Sequence, residues 1–387
     1  MHGQTACACN SAWRSSFCRS RTPAGVLLLA LLLLGCYQPV CLITEYDPDQ
    51  AYNGYTFFQS NYLFPAAFCV DMEGNQLWGR HAAIGLEGTL LGIDVLNDGN
   101  VITNLKGYPQ IFNPVTDSLV WEDSSRLAHH SLIRTPWESV VFLSSDPFVV
   151  ADYPPWKDCL IFGDVILEID MQTHAIVWEW YLRDYLDPLE HHWDGMCDTP
   201  EQSDWSHSNT IKYYPNYVFR GKRHNVLLLN SRHLDTIWMI DYPSGEVLWS
   251  CGQHGEFGRR EPPAAPVFSW AHEVGMLPNG HFLMYDNGDE RQVLVSRALE
   301  IAVDPVAQTV KEVWSWTEGQ YDYGMGDADR LPNANTLLTS VVKGKIVEVN
   351  PLGEKVWEMR MRSLANPNDE NLNTIYKAIR VTNFGPP

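Results

Sequence analysis

The chain has 387 residues, of which 45% are hydrophobic, and it carries a formal net charge of −20. This length suits one large β domain or two ordinary domains, and the hydrophobic content excludes wholesale disorder. Because a protein that binds phosphate needs a basic face, the negative charge argues strongly against a nucleic-acid partner.

The N-terminal segment has the composition of an export signal. Three arginines precede the apolar run AGVLLLALLLLG, and no acidic residue occurs before Glu45. The run is too short to span a bilayer as a stable helix and is typical of a secretory signal peptide. Its end, LLGC, resembles the lipobox of bacterial lipoproteins, in which cleavage precedes a cysteine whose sulfur carries a lipid. We expect a lipoprotein signal peptide over residues 1–35 and lipidation of Cys36; a plain signal peptide cut at another site is the alternative.

Export changes how the cysteines are interpreted. The mature protein would lie in the periplasm or on the outer surface, attached to the membrane only through the lipid on Cys36. An oxidising compartment permits disulfides, but an odd number of cysteines follows Cys36, so one disulfide is plausible and its pairing is open. These cysteines are Cys41, Cys69, Cys159, Cys197 and Cys251.

Six segments share one pattern: an apolar strand, an Asp or Asn, a short polar turn, and a strand that ends in tryptophan. The turns carry Gly, Asn, Pro or Asp, which tight hairpins need. Spacings of 43 to 71 residues between these tryptophans are those of a repeat unit with insertions. The tryptophans are Trp78, Trp121, Trp178, Trp249, Trp314 and Trp357.

A second hairpin type lies between these segments, as in LPNG from Leu277, LPNA from Leu331 and LNDG from Leu96. Two hairpins per unit make four strands, which is the composition of a propeller blade. The sequence therefore predicts an all-β chain, with a linker over residues 36–50 and a six-bladed β-propeller over residues 51–387. A tail strand, IYKAIRV, could close the circle of blades.

Histidines occur at matching places in the repeats. The innermost strand of a propeller blade begins near the central channel, so residues at that position converge. Counting back six residues from the hairpin proline gives His272 in the fifth unit, His130 in the third and Gly326 in the sixth. In the fourth unit the count falls on Asn209, and His207 lies two residues earlier on the same strand face. We expect His130, His207 and His272 at one level of the channel; ordinary structural histidines at strand starts are the alternative.

Two Ser-Arg pairs follow strands at matching places, with Arg232 in the fourth unit and Arg297 in the fifth. In so acidic a chain they suggest an anion pocket, because the guanidinium fork suits a tetrahedral oxyanion. The alternative is that both neutralise carboxylates such as Asp235, Asp286 or Asp289. The two interpretations are balanced for Arg232, and anion binding is favoured for Arg297.

Several motifs together, DWSHSN, SRHLDTIWMIDYPSGEVLW, WAHEVGMLPNGHFLMYDNG, SRALEI and GMGDADRLPNANTL, resemble the bacterial arylsulfate sulfotransferase family. The resemblance implies a six-bladed propeller that transfers a sulfuryl group between small phenolic compounds, from an aryl sulfate to a phenol, without a nucleotide donor and without a cofactor. It implies catalytic roles for His207, His272 and Arg297, since imidazoles can attack sulfur or protonate the leaving phenolate and arginine can stabilise the oxygens. The remaining predicted substrate-binding residues are Arg232, His130 and Asn209.

The sequence departs from the family pattern in the last repeat. No histidine follows His281, whereas the characterised branch of the family uses a late histidine as its nucleophile. That role is either empty or passes to His272. The alternative function is a non-catalytic envelope lipoprotein that binds a ligand or serves as a scaffold, since propellers serve both uses. A quinone-cofactor dehydrogenase is a weaker third possibility, because those propellers also repeat tryptophan.

One further segment, EHHWDGMCD from Glu190, groups residue types that can bind metals. Adjacent histidines on an irregular loop rarely point at one ion, so no metal site is predicted.

Overall fold

A computed structural model describes residues 40–60, 66–81, 92–152, 157–192, 196, 203–260, 266–289, 293–341, 343–362 and 374–386. These residues form β-strands and one short 3-10 helix, Leu182–Asp184, and none of them is in an α-helix. The predicted all-β class is therefore confirmed. No helix in this part of the chain is long and apolar enough to cross a membrane. The predicted signal peptide and Cys36 lie outside the described residues.

The strands follow one another with short turns, as the repeated hairpin signals predict. The first half of the chain contains β1 (Val40–Tyr46), β2 (Tyr55–Ser60), β3 (Ala66–Val70), β4 (Gln76–His81), β5 (Ile93–Val95), β6 (Val101–Thr103), β7 (Gln110–Asn113), β8 (Ser118–Glu122), β9 (His129–Arg134), β10 (Ser139–Ala151), β11 (Asp158–Asp170), β12 (Ile176–Tyr181) and β13 (Ser203–Asp204).

The second half contains the same kind of element. Its strands are β14 (Ser208–Phe219), β15 (Lys222–Ser231), β16 (Thr236–Tyr242), β17 (Val247–Gly252), β18 (His272–Met276), β19 (Phe282–Asp286), β20 (Arg297–Asp304), β21 (Thr309–Trp316), β22 (Ala328–Arg330), β23 (Thr336–Ser340), β24 (Lys345–Val349), β25 (Lys355–Arg362) and β26 (Ile375–Val381).

The described strands form six sheets, four of which use strands that are consecutive in sequence: β5 to β8, β9 to β12, β14 to β17, and β18 to β21. Strand order within each sheet is simple and antiparallel, and only the two-residue β13 pairs in parallel, with β11. The first strands of successive sheets contact one another in the order β26, β5, β9, β14, β18 and β22, and β23 contacts β26. The contacts thus run in a closed circuit through all six sheets.

The two ends of the described chain complete this circuit. The tail strand β26 pairs with β2 and becomes the first strand of the sheet β26-β2-β3-β4. Strand β1 pairs with β25 and adds a fifth strand to the sheet β22-β23-β24-β25. The sequence predicts a linker over residues 36–50, but the apolar segment VCLITEY within it forms β1, because the exposed edge of β25 offers unpaired backbone groups.

The repeated tryptophans join neighbouring sheets. The indole N–H of Trp78 donates to Asp117 Oδ1 at 3.0 Å, that of Trp121 to the Met171 carbonyl at 2.9 Å, and that of Trp178 to the Pro243 carbonyl at 2.8 Å. Each acceptor lies in the outer hairpin of the next sheet along the chain. Trp357 makes the corresponding bond from the last sheet to the first, to the Met72 carbonyl at 3.0 Å. Four of the six repeated tryptophans thus link neighbouring sheets, whereas Trp249 donates to Tyr217 within its own sheet.

Candidate active site

Three histidines from three consecutive sheets come together where their first strands begin. The ring centroids of His130 and His207 are 4.9 Å apart, with the planes at 72°. His272 is separated from His130 by the ring of Tyr376, whose centroid lies 5.8 Å from His272 and 6.1 Å from His130. His130 and His272 are buried.

Local backbone strain accompanies this cluster. His130 and His207 have φ of +54° and +43°, and the neighbouring Trp270 and Met325 have φ of +57° and +63°. Residues with a side chain adopt this left-handed conformation at a cost, and such residues collect at functional sites when the surrounding structure holds them there. These residues lie in or shortly before the first strands β9, β14, β18 and β22, where the imidazoles are located.

His207 is hydrogen-bonded to a carboxylate, that of Asp204. Its Nδ1 hydrogen-bonds to Asp204, while no described residue bonds to its Nε2. Partial burial tends to raise the pKa of the half-exposed Asp204, but the hydrogen bond and the charges of His207 and His233 lower this pKa to about 2. Asp204 is therefore ionised at neutral pH and favours the proton on His207 Nδ1, which leaves the Nε2 lone pair available.

His130 is bonded to its neighbour His129, since their Nδ1 atoms are 2.9 Å apart. His129 Nε2 lies 3.2 Å from a carboxylate oxygen of Asp164, which favours a proton on that nitrogen and makes His129 Nδ1 the acceptor. His130 then carries its proton on Nδ1. Burial, and after it the charge of His207, lowers the pKa of His130 well below its usual value, so this ring stays neutral.

Both nitrogens of His272 are engaged. Nδ1 donates to Asn287 Oδ1 at 2.7 Å, and the backbone N–H of Met325 donates to Nε2 at 3.2 Å. Burial, followed by the charge of Arg232, lowers the pKa of His272 well below its usual value. His272 is thus a neutral, fixed imidazole whose lone pair is already a hydrogen-bond acceptor.

Arg232 lies beside this cluster without a carboxylate in contact among the described residues. Its Nη1 donates to His233 Nε2 at 2.8 Å, its Nη2 donates to the Tyr323 carbonyl at 2.9 Å, and its Cζ lies 3.9 Å from the centroid of the Trp270 ring. The Nε atom is buried and has no hydrogen-bond partner in the described part of the chain. A buried guanidinium with an unused N–H is suited to an anion.

Arg297 has a different environment from the one favoured by the sequence. Its Nε donates to Asp286 at 2.9 Å, its Nη1 to Glu312 at 2.9 Å and its Nη2 to the Val267 carbonyl at 3.3 Å. Asp286 is its direct partner across the β19–β20 pair. The structure therefore gives Arg297 the role of neutralising carboxylates, and the expected anion pocket is better matched by Arg232.

Asn209 is also fully used inside the fold. Its Nδ2 donates to the Ala271 carbonyl at 2.9 Å, and its Oδ1 accepts from Thr210 Oγ1 and Asn230 Nδ2, each at 2.9 Å. Asn209 therefore fixes the residue before His272, and its expected contact with substrate stays a prediction.

The sixth sheet offers no imidazole for a steric reason. The aligned position is Gly326, with φ of +113°, and a Cβ placed there would lie 2.2 Å from the ring of Tyr285. No side chain fits this position without displacing a buried tyrosine.

A family model for arylsulfotransferase (ASST) matches residues 44–344. The chain belongs to the arylsulfotransferase family. The matched region runs from β1 to the turn before β24 and contains Asp204, the three predicted histidines and Arg232. The family resemblance carried by the sequence motifs is therefore confirmed, while Tyr376 lies beyond the matched region.

Solved structures similar to this arylsulfotransferase-family chain are distant. A protein of unknown function from Bacteroides caccae has 11% identity and a TM-score of 0.47, covering 84% of this chain and 98% of its own. Virginiamycin B lyase from Staphylococcus aureus has 10% identity and a TM-score of 0.45, covering 89% and 100%. The Dos1 propeller has 11% identity and a TM-score of 0.35, covering 75% and 64%. No curated protein matches the chain.

Sequence reasoning missed four residues of this arylsulfotransferase-family site. His129 and His233 directly adjoin predicted residues, so the doublets HH and RH were the available signal. Trp270 lies two residues before His272. Tyr376 belongs to the tail strand, for which the sequence predicted only a role in closing the circle of blades. That strand is the first strand of its sheet, and the site histidines lie where the first strands of three other sheets begin.

Metal binding fits this site poorly. Among the described residues, one group, Asp204, His207 and His233, brings three possible ligand atoms within 4.8 Å of one another. His233 Nε2 accepts from Arg232, and His233 Nδ1 lies 2.9 Å from the Asp204 carbonyl and donates to it. Both nitrogens are occupied, and a guanidinium beside them repels a cation. Within the segment EHHWDGMCD, the positions 194, 197 and 198 lie outside the described residues.

The cysteines agree with a single expected disulfide as far as they are described. Cys159 is disulfide-bonded. Among the described residues, Cys41, Cys69 and Cys251 are free thiols, and burial raises the pKa of Cys251 to about 12. Such a thiol is inert as a nucleophile at neutral pH.

Proposed function

We propose that this arylsulfotransferase-family chain transfers a sulfuryl group from an aryl sulfate to a phenol without a nucleotide donor. The observation that carries the proposal is the environment of Arg232. Its guanidinium is buried, makes no salt bridge to a described carboxylate, and lies against His233 and Trp270. Asp289, Asp235 and Asp204 offset part of the cost of burying this cation without touching it, and a bound sulfate would balance it by direct contact.

We further propose that the six sheets are the blades of a β-propeller and that the site lies in its central channel. The closed circuit of contacts between first strands supports this arrangement. So do the indole hydrogen bonds of Trp78, Trp121, Trp178 and Trp357, each of which reaches the hairpin of the following sheet. A channel opening would give an aryl sulfate access to imidazoles supplied by neighbouring blades.

In this proposal His207 is the nucleophile. Asp204 holds the proton on Nδ1, so the Nε2 lone pair attacks sulfur, and an N–S bond forms while the S–O bond to the aryl group breaks. The electron pair of the broken bond stays on the phenolic oxygen. A second phenol then attacks the sulfur, the N–S bond breaks, and His207 regains its lone pair. Arg232 stabilises the negative charge on the transferring oxygens.

The location of the mature protein is part of the proposal. We propose export to the periplasm or outer surface, with a lipid on Cys36 as the only membrane attachment. The disulfide at Cys159 supports an oxidising compartment. Expression in a bacterium fed labelled palmitate tests this step: label should enter the wild type and be absent from Cys36→Ser, and an unlabelled wild type would contradict lipidation.

The experiment for the activity uses purified protein, 4-nitrophenyl sulfate as donor and phenol as acceptor. We expect release of 4-nitrophenolate that depends on phenol, and formation of phenyl sulfate in equal amount. His207→Ala should abolish transfer, and His272→Ala should lower it less, because His272 acts through its contacts with Asn287 and Met325. Absence of phenyl sulfate with the wild type, or normal turnover by His207→Ala, would overturn the proposal.

A further inference from the structure

Tyr376 is placed between two imidazoles of the site. Its ring meets His130 and His272 edge to face, at interplanar angles of 89° and 90°. It is buried, its hydroxyl oxygen makes no hydrogen bond of ordinary geometry to a described residue, and Glu273 is close enough to act on its proton. A buried hydroxyl without a hydrogen bond destabilises the fold. A contact between this hydroxyl and a bound substrate would explain its presence.

Two buried carboxyl groups lie next to this tyrosine. Glu273 directly follows His272, and Asp327 Oδ2 accepts a hydrogen bond from the backbone N–H of Ala378 at 3.1 Å, two residues after Tyr376. Glu273 Oε2 accepts from Lys377 Nζ at 2.8 Å. The remaining oxygens, Glu273 Oε1 and Asp327 Oδ1, are buried and have no partner among the described residues.

The surroundings of Tyr376 and Asp327 favour the protonated form of both side chains. Burial, and then Glu273 and Asp327, raise the pKa of Tyr376 well above its usual value, while Arg232 acts in the opposite direction. Burial, and then Asp329 and Glu273, raise the pKa of Asp327 well above the usual carboxyl range. Neutral Tyr376 and protonated Asp327 are therefore the stable forms at neutral pH.

We propose that Tyr376 relays a proton between the phenolic oxygen of the substrate and the buried carboxyl pair Glu273 and Asp327. This inference rests on the proposed sulfuryl transfer and adds the acid and base that the transfer needs. Every cycle releases one phenol and consumes another, so a proton must be given in the first half-reaction and recovered in the second.

The proton balance closes within the chain. When the aryl S–O bond breaks, the phenolic oxygen takes the hydroxyl proton of Tyr376, and Tyr376 takes the proton of the carboxyl pair. When the second phenol attacks sulfur, its proton passes to Tyr376 and the tyrosine proton returns to the carboxyl pair. The pair ends the cycle in its starting state, and no outside acid or base is consumed.

Tyr376→Phe tests the relay with a series of aryl sulfates whose leaving phenols become more basic, from 4-nitrophenyl sulfate to phenyl sulfate. A good leaving group needs little protonation, whereas a poor one depends on it. We expect kcat to fall less than about 3-fold for 4-nitrophenyl sulfate and about 100-fold for phenyl sulfate. Asp327→Asn should show the same trend, and the double variant should be no slower than the slower single variant.

Asp94→Asn is the matched control. Asp94 is a partly buried carboxyl that also lies near Lys377, but it is not among the main charges that shift the pKa of Tyr376. Any loss in this variant should be the same for every donor. A loss in Tyr376→Phe that is equal for all donors, or no loss, with an active wild type would overturn the relay and leave the transfer proposal intact. A wild type that transfers no sulfate would overturn both.

Discussion

The guanidinium carbon of Arg232 lies 3.9 Å from the centroid of the Trp270 ring, so an aromatic face holds this arginine where a carboxylate would otherwise be expected. Trp270 is itself in the left-handed conformation, with φ of +57°. The charge of Arg232 is therefore available for an anion. The strained backbone of Trp270 is the energetic cost of this arrangement.

Arg232→Lys tests whether the fork and the stacking are needed in addition to the charge. Lysine cannot form a bidentate contact or stack in the same way, so we expect kcat/KM for an aryl sulfate to fall by about 10- to 100-fold. The matched control is Arg297→Lys at the same place in the next repeat, which should lower the unfolding temperature with a much smaller change in kcat/KM. Equal kinetic effects of both substitutions would contradict the distinction between the two arginines.

Asp204→Asn tests the role of the carboxylate behind His207. An amide can still accept a hydrogen bond, but it no longer stabilises positive charge on the imidazole or fixes its proton on Nδ1. We expect kcat to fall by about 100-fold or more, with little change in the unfolding temperature, since Asp204 is half exposed. Near-normal kcat would show that the pair is structural.

Acid stability should depend on Glu358. Its carboxylate contacts Lys345 at 3.0 Å, Lys355 at 2.9 Å and Arg360 at 2.8 Å, and Thr44 of β1 donates to it at 2.8 Å. Burial tends to raise the pKa of Glu358, but these partners lower it from 4.5 to about 2. A carboxylate whose folded pKa is lowered stabilises the fold above its unfolded pKa and loses that contribution as the pH falls toward the folded value. We expect the wild type to lose up to about 3 kcal/mol between these two pKa values.

Urea unfolding of Glu358→Gln across this pH range measures that contribution. The variant should be less stable than the wild type at neutral pH, and the difference should shrink as the pH approaches the folded pKa of about 2. A difference that does not change with pH would contradict the linkage.

Trp357→Phe tests the links between sheets. The substitution keeps an aromatic ring but removes the indole N–H that bonds to Met72 across the junction of the last and first sheets. We expect a loss of about 1–2 kcal/mol in the free energy of unfolding. Trp314→Phe is the comparison, because Trp314 packs against Arg330, with the Cζ atom 4.8 Å from its ring, and phenylalanine can preserve that contact. A larger loss at position 314 would contradict the role of the indole bond.

Gly326→Ala addresses the missing imidazole of the sixth repeat. The positive φ and the closeness of Tyr285 both oppose a side chain there. We expect a loss of at least about 2 kcal/mol in the free energy of unfolding and no gain of activity. Gly326→His should be at least as unstable. A stable, more active histidine variant would show that this position can accept the nucleophile.

The periodic features of this chain could be predicted from sequence because each depends on residues close together in the chain. Tryptophans after tight turns marked the sheets, and a count from the hairpin proline placed His130, His207 and His272 at equivalent strand starts. Ion pairing was beyond such reasoning: Arg232 and Arg297 both follow a serine, and only the strand register puts Asp286 opposite Arg297. Tyr376 was missed because its partners, His130 and His272, are far away in sequence.

The pairing of β26 with β2 has a consequence for when the protein becomes active. Tyr376 and Lys377 arrive on this strand, so the pocket is assembled from the beginning, middle and end of the folded region at once. If the proposed transfer is correct, a chain without β26 would lack Tyr376 and Lys377, so activity would require the last strand of the described domain to be in place.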